Sequence, residues 1–259
     1  MPFTPTHVAA ILPVAAIAGR ALPFSALVIG SMIPDLPLFV PSPLTYATTH
    51  SATGVFTACL PLGMASFLAF QVLMKRPLFA LLPDGIRSRC APLSASCIEP
   101  TFRFFASASL AIAIGAITHV FWDSFTHPGR WGSGLIPRMD ESVLTIRGHD
   151  VPGYKALQYG STLVVLPCVV LLLVLWLSRQ RPSPLGGLPA LSKSWRVPIY
   201  LVILLIPAFI TLFIWSWDRR TPYTMLGRSI TISGMALGIF FLAYSITYHA
   251  TSICRRSGA

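Results

Sequence analysis

A histidine and an aspartate lie four residues apart in an otherwise apolar segment, at His119 and Asp123. In an α-helix this spacing places both side chains on one face, one turn apart. An imidazole nitrogen and a carboxylate oxygen arranged in this way can share a divalent metal such as zinc, manganese or iron. The same two groups can instead form a hydrogen bond that joins two membrane helices.

His127 continues the four-residue spacing, but it lies about 80° around the helix from His119. The proline that follows it also disfavours helical geometry at His127. His127 is therefore a candidate metal ligand, an outer group that supports a ligand, or an interfacial residue.

Three further residues are candidate ligands, although each has a plainer interpretation. His7 follows Thr4 and Pro5, which is the pattern of a helix N-cap and a first-position proline. His50 precedes a long apolar segment, and Asp35 ends a shorter one. Taken singly, a histidine at a helix start is a cap or surface group, and Pro-Asp is a turn.

The composition predicts a polytopic, all-α membrane protein. Hydrophobic residues make up 54% of the 259 residues and charged residues 10%, whereas soluble domains have about 25% charged residues. The apolar residues come in blocks of about 20, the length that crosses a bilayer as a helix. We predict about five long spans, at Thr53 to Met74, Phe104 to Phe125, Gln158 to Leu177, Val197 to Trp217 and Ile230 to His249.

The N-terminal part of the chain predicts a pair of short or re-entrant helices, at Val8 to Ala18 and Phe24 to Val40. If the chain crosses and returns there, His7, Asp35 and His50 lie on one face of the membrane. The helix that carries His119 and Asp123 then runs towards the same face. This shared face favours a binuclear or trinuclear metal site near the membrane surface.

The net charge of +11 does not indicate a nucleic-acid partner, because the basic residues are scattered over short loops. Their natural partner is the lipid bilayer with its anionic surface. Of the 19 Lys and Arg residues, twelve fall on one side of the predicted topology. The positive-inside rule then predicts an inner-membrane protein with a cytoplasmic C-terminus.

We predict one membrane domain over residues 1–259, with three segments that differ from the long spans. These are the short-helix pair at 1–52, an extramembrane loop at 128–157 and a polar loop at 179–196. The five cysteines show no zinc-ribbon spacing, and Cys90 and Cys97 fall in a loop predicted to be cytoplasmic. We interpret the cysteines as structural or incidental.

The loop at 128–157 is long enough to cover a site, and long loops are often functional. It carries four basic residues that suit a phosphoester or an anionic lipid headgroup, and that otherwise act as interfacial anchors. These are Arg130, Arg138, Arg147 and Lys155.

Several blocks of this sequence resemble the bacterial membrane proteins of the domain of unknown function 4184 family. The resemblance covers the chain to about residue 245, and its most specific parts are the opening and the Gly-Ser-x-x-Pro-Asp block. The blocks are Met1 to His7, Gly30 to Asp35, Thr49 to Ser51 and Gly153 to Ser161.

The chain is more distantly similar to the LexA-regulated inner-membrane metal-dependent hydrolases. The matching positions are His7, Pro34-Asp35, Thr49-His50-Ser51, Thr118-His119 to Asp123, and Thr126 to Gly129. That family usually has a second aspartate where this chain has Pro37, and a His-Arg before Thr-His-Ser that is absent here. The resemblance implies a metal-dependent hydrolase, without its substrate.

Two functions follow from these observations. The first is a metal-dependent hydrolase at the membrane face, with a divalent metal, most readily zinc, and with Asp35 or Asp123 as general base. Its ligands are predicted to be His7, Asp35, His50, His119, Asp123 and His127. The second is a transporter, metal carrier or scaffold in which the His and Asp residues only support helix packing.

Overall fold

Helices dominate the fold, as the sequence predicts. The computed structural model describes residues 3–94, 100–146, 149–185, 190–218 and 222–257. The helices are α1 (Val8–Ala18), α2 (Phe24–Met32), α3 (Leu36–Phe39), α4 (Tyr46–Thr49), α5 (Ala52–Leu81), α6 (Asp84–Ser94), α7 (Phe102–Thr126), α8 (Trp131–Leu135), α9 (Gly153–Arg179), α10 (Lys193–Trp217) and α11 (Pro222–Ser257). Two 3₁₀ turns lie at Thr4–His7 and Ile33–Asp35.

Within the described residues, five helices are long and apolar enough to cross a membrane: α5, α7, α9, α10 and α11. Each contains one of the predicted long spans, so this part of the prediction is confirmed. Their outward faces are apolar, with Leu163 on α9 and Phe209 on α10 more than 70% exposed. Such faces suit lipid, because every backbone polar group of a helix is satisfied within the helix itself. The chain is therefore a multi-pass membrane protein.

The two shorter apolar helices of the N-terminal pair are also present, as α1 and α2 with the continuation into α3. The sequence predicts an extramembrane loop over 128–157, and the described part of this segment contains α8 and a β-hairpin. Strand β1 (Ser142–Ile146) pairs antiparallel with β2 (His149–Pro152), and Leu144 lies opposite Val151. Neither strand is long enough to give a clear alternating pattern, which is why the sequence did not indicate it.

The chain divides into two compact units. One comprises Met1–Pro37, Ser42–Phe67 and Ile98–Arg179, and the other comprises Leu38–Pro41, Leu68–Cys97 and Gln180–Ala259. All the candidate site residues belong to the first unit. The single membrane domain stays a prediction.

Side-chain caps fix the helix starts that position the candidate site. Thr45 accepts a hydrogen bond from the backbone N–H of Thr48 and begins α4 (3.2 Å). Ser51 accepts one from the N–H of Gly54 and begins α5 (2.9 Å). Each cap satisfies a backbone donor that the first helical turn leaves without a partner. The His50 position is thereby held in the short connection between two capped helices.

Helices α2 and α7 approach closely because glycines stand at their contact. A Cβ atom added at Gly115 would lie 2.5 Å from the carbonyl oxygen of Leu27 and 2.6 Å from the backbone nitrogen of Ser31. A Cβ at Gly30 would likewise meet the backbone of Ile112. Small residues allow this approach in membrane helix pairs. It brings the C-terminal end of α2 against the helix that carries His119 and Asp123.

We expect Gly115→Ala to lower thermal stability in detergent, although alanine usually stabilises a helix by about 0.5–1 kcal/mol relative to glycine. The added methyl group would force the two backbones apart, at a cost of about 1–3 kcal/mol. The matched control is Gly160→Ala on α9, where an added Cβ meets nothing within 4 Å. Equal melting temperatures for the two variants would contradict this account of the packing.

Candidate metal centre

His119 and Asp123 lie on one face of α7 and are 0% and 3% exposed. The Nδ1 atom of His119 lies 2.7 Å from the carbonyl oxygen of Ser31, at the end of α2. A carbonyl can only accept a hydrogen bond, so Nδ1 carries the proton and donates. In the neutral ring the Nε2 atom then presents a lone pair, and it faces Asp35 and Asp123.

His50 follows the last residue of α4 and is held in a similar way. Its Nδ1 atom lies 3.0 Å from the carbonyl oxygen of Tyr46, and its ring stacks on the Tyr46 ring with centroids 3.7 Å apart. The Nε2 atom of His50 is thereby directed towards the same two carboxylates. Metal-binding histidines commonly donate their second N–H to a backbone carbonyl in this manner.

Asp35 ends the 3₁₀ turn after α2 and is fully buried. Its Oδ2 atom accepts a hydrogen bond from the hydroxyl of Thr4 (2.7 Å), whereas its Oδ1 atom has no hydrogen-bond partner among the described residues. The Oδ1 atom lies 3.5 Å from the Nε2 atoms of both His50 and His119. An unsatisfied buried carboxylate oxygen is costly unless a proton or a cation is near it.

These four side chains form a compact group of metal-ligand type, which we call the four-residue cluster: Asp35, His50, His119 and Asp123. One ligand atom from each lies within 4.8 Å of all the others. The Nε2 atoms of His50 and His119 are 3.3 Å apart. The Oδ2 atom of Asp123 lies 3.4 Å from Nε2 of His50 and 3.6 Å from Nε2 of His119. The cluster could hold a metal ion.

His7 and His127 lie beside the cluster rather than in it. The Nε2 atom of His7 is 3.4 Å from Oδ1 of Asp123, and its ring stacks on His119. Neither ring nitrogen of His7 has a hydrogen-bond partner in the described part of the chain. His127 directs Nδ1 at the carbonyl oxygen of Asp123 (3.1 Å), so it supports the end of α7. Their roles as ligands stay predictions.

Tyr46 belongs to the site, although no sequence pattern indicated a role for it. Its hydroxyl donates to Oδ2 of Asp123 (2.9 Å) and lies 3.3 Å from Nε2 of His127. Burial raises the pKa of the Tyr46 hydroxyl above its usual range, and the Asp123 carboxylate raises it further. Burial also lowers the pKa of His127. Tyr46 therefore remains protonated as a donor, and His127 remains neutral beside it.

Arg130 is the basic residue of the 128–157 segment that reaches the site. It donates a hydrogen bond from Nη1 to the carbonyl oxygen of His50 (3.2 Å), and its guanidinium lies 5.8 Å from the centre of the Tyr46 ring. Arg138 instead faces Glu141 on the exposed side of the loop (3.5 Å). Lys155 lies in the first turn of α9, and Arg147 lies outside the described residues.

Cys59, Cys90 and Cys168 are free thiols, and none of these three lies in the cluster. Cys97 lies outside the described residues. The cluster is thus built from imidazole and carboxylate donors. Such donors suit zinc, manganese or iron.

The chain belongs to the family described as a domain of unknown function (DUF4184), whose model matches residues 1–246. This match confirms the family resemblance stated above. No curated protein matches the chain. No solved structure matches it either.

We expect Tyr46→Phe to weaken metal binding by about 10–100-fold, the usual effect of losing a group that orients a ligand. The substitution keeps the ring that stacks on His50 and removes the hydrogen bond to Asp123. Isothermal titration of the metal-free protein with zinc measures the change. Tyr154→Phe, at a tyrosine outside the cluster, is the control and should bind as the wild type does. Unchanged affinity in Tyr46→Phe would show that its hydroxyl does not orient Asp123.

Proposed function

We propose that this protein is a metal-dependent hydrolase that acts at the membrane face. Its ligands are Asp35, His50, His119 and Asp123, and zinc is the metal that we favour. His7 and His127 complete the surroundings of the ion, either as further ligands or as groups that hold the ligands.

The distances within the cluster are the observation that carries this proposal. Charge-assisted hydrogen bonds between His and Asp are about 2.7–2.9 Å long. The four His–Asp distances of the cluster run from 3.4 to 3.6 Å, which is too long for such bonds. Ligand atoms about 2.1 Å from one tetrahedral ion are about 3.4 Å apart. The spacing therefore fits ligands that surround an ion better than groups that bond directly to one another.

The hydrogen bonds of the two histidines support the same conclusion. Both Nδ1 atoms donate to backbone carbonyl oxygens, so the two Nε2 atoms of the neutral rings carry lone pairs and lie 3.3 Å apart. Lone pairs on His50 and His119 would repel each other and the nearby carboxylates. A cation between them removes this repulsion, and the two carboxylates match the charge of a divalent ion.

A divalent ion held by these residues would lower the pKa of a coordinated water towards neutrality and so supply a nucleophile for hydrolysis. We assign the general base to Asp123 in preference to Asp35. The second oxygen of Asp35 is bonded to the Thr4 hydroxyl (2.7 Å). The second oxygen of Asp123 has two longer contacts, with the Thr126 hydroxyl and with Nε2 of His7 (3.4 Å each), so it is the more available acceptor.

A phosphoester or lipid ester is the substrate class that we favour, because a basic guanidinium borders the site at Arg130. Arg130 can bind phosphate oxygens with two parallel hydrogen bonds. We place the site on the outer face of the inner membrane, with the C-terminus in the cytoplasm. This orientation rests on the charge bias of the loops.

A scaffold or metal carrier is the alternative function. It is favoured by the position of each cluster histidine within 4 Å of two aspartates, since protonated histidines would form a neutral ion-pair network there. Such a network would hold α7 against the turn after α2 without any chemistry. A scaffold would bind no metal, a carrier would bind metal without cleaving an ester, and the hydrolase would do both.

Elemental analysis of the detergent-purified protein tests the proposal. We expect about one or two equivalents of a transition metal in the wild type, and their loss in a His119→Ala, Asp123→Ala double variant. His249→Ala is the matched control, because His249 lies on α11 in the other unit and bonds to the carbonyl oxygen of Leu73. The control should retain its metal.

The metal-loaded protein is then assayed for hydrolysis of phosphomonoester, phosphodiester and phospholipid substrates. Asp123→Asn, which is closer in shape to the wild type, should abolish hydrolysis while the protein still inserts and folds. Absence of metal from the wild type, even after incubation with zinc or manganese, would reject the hydrolase and leave the scaffold. Metal binding without hydrolysis of any ester would favour the carrier.

A further inference from the structure

The four-residue cluster is closed on most sides, and its surroundings show where a substrate must approach. Asp35, His50, His119 and Asp123 are each at most 3% exposed. Among the described residues, Tyr46, His127 and Arg130 are partly exposed and form hydrogen bonds with the cluster residues. These three side chains mark one approach to the cluster from outside.

An exposed aromatic group adjoins this approach. The ring of Trp131, the residue after Arg130, lies 5.8 Å from that of Phe121 and 5.6 Å from that of Phe125. Trp131 and Phe121 are both more than half exposed, and Phe121 lies in the last turns of the α7 span. Aromatic side chains at the end of a span lie at the level of the lipid headgroups. The approach to the cluster thus opens at the membrane interface.

The segment beyond Trp131 continues this apolar surface. Leu135 and Ile136 in and after α8 are 66% and 41% exposed, and Val143 and Leu144 in β1 are 56% and 42% exposed. Exposed apolar residues concentrated in one extramembrane segment indicate contact with a membrane or an apolar ligand. Because this segment follows directly from an exposed membrane span, lipid is the occupant that fits it.

Arg130 supplies a charge at the same opening. Among the described residues it donates one hydrogen bond, to the carbonyl oxygen of His50, and a guanidinium has five N–H donors. Within the described part of the chain Arg130 has no carboxylate partner, unlike Arg138. Donors therefore remain for an anionic group that lies between Arg130 and the cluster.

We propose that the substrate is an anionic phospholipid or similar phosphorylated amphiphile that reaches the cluster from the bilayer. Arg130 binds its phosphate, and Trp131 with Leu135 contacts the adjoining apolar part. This inference rests on the proposed function and specifies its substrate class. It also predicts lipid binding in the absence of turnover.

Photo-crosslinking in nanodiscs tests the inference without an activity assay. Diazirine-bearing phosphatidic acid is incorporated, the protein is irradiated, and the labelled peptides are mapped by mass spectrometry. We expect labelling near residues 130–136, reduced about tenfold or more by Arg130→Gln, since hydrogen bonds to charged groups are strong. Arg138→Gln removes the same charge from the same segment and should leave the labelling unchanged.

Diazirine-bearing diacylglycerol, which lacks the phosphate, should label this segment weakly and without dependence on Arg130. Equal labelling by the two lipids, or equal labelling of the Arg130→Gln and Arg138→Gln variants, would overturn the inference. Suppression of the labelling by millimolar inorganic phosphate would also overturn it, because the site would then bind a soluble phosphoester.

A second variant tests lipid access without changing Arg130, in case the Arg130→Gln variant does not fold. Leu135→Ser changes an exposed side chain, so the fold should persist, and it should reduce labelling by the long-chain lipid. No reduction would exclude bilayer access through this segment. The experiment is repeated on chelator-treated protein, where labelling that depends on Arg130 should persist. If elemental analysis finds no metal in the wild type but this labelling remains, the hydrolase is rejected and the lipid site stands.

Discussion

The burial of two carboxylates constrains the rest of the first unit. Asp35 and Asp123 are at most 3% exposed in a protein whose surroundings are largely apolar. A buried carboxylate is costly unless it is neutralised by a proton, a cationic side chain or a metal ion. No lysine or arginine among the described residues forms an ion pair with either one. Histidines surround them instead, and these can either carry protons or bind a metal.

The neighbouring elements orient those histidines through the backbone rather than through other charges. The end of α2 supplies the Ser31 carbonyl to His119, and α4 supplies the Tyr46 carbonyl to His50. The Ser31 carbonyl stands in the last turn of α2, where carbonyl groups lack partners within the helix. The Tyr46 carbonyl also accepts a hydrogen bond from the backbone N–H of His50 (3.0 Å). The close contact of α2 with α7 at Gly115 is needed to bring Ser31 within reach. A small change in helix packing would therefore alter the direction of a ring nitrogen.

The sequence predicted the long spans because blocks of about 20 apolar residues have few alternatives to a membrane helix. It also predicted that His7, Asp35, His50, His119 and Asp123 share one face, and the structure brings these five together. Spacing indicated His119 with Asp123 because a helix period relates them. Proline stands at position 37 in place of a second aspartate, yet the cluster is assembled without that residue.

Other features depend on tertiary contacts that no local pattern encodes. Tyr46 lies four residues before His50, and that spacing was the one available signal for its role. Its bond to Asp123 joins residues 77 positions apart, which a single sequence does not reveal. The hairpin of β1 and β2 was missed because its strands are short and lie in a segment of mixed polarity.

The protonation state of His50 and His119 connects the geometry of the cluster with its chemistry. A neutral ion-pair network requires a second proton on both His50 and His119, so that two N–H groups occupy Nε2 atoms 3.3 Å apart. Each of these N–H groups would need to donate to a carboxylate oxygen. The shortest distance from either Nε2 atom to a carboxylate oxygen is 3.4 Å. A divalent ion would neutralise both carboxylates and coordinate both Nε2 lone pairs at once. We therefore favour a bound metal as the state that satisfies all four groups, in line with the proposed function, with Arg130 at the margin as the proposed site for an anion.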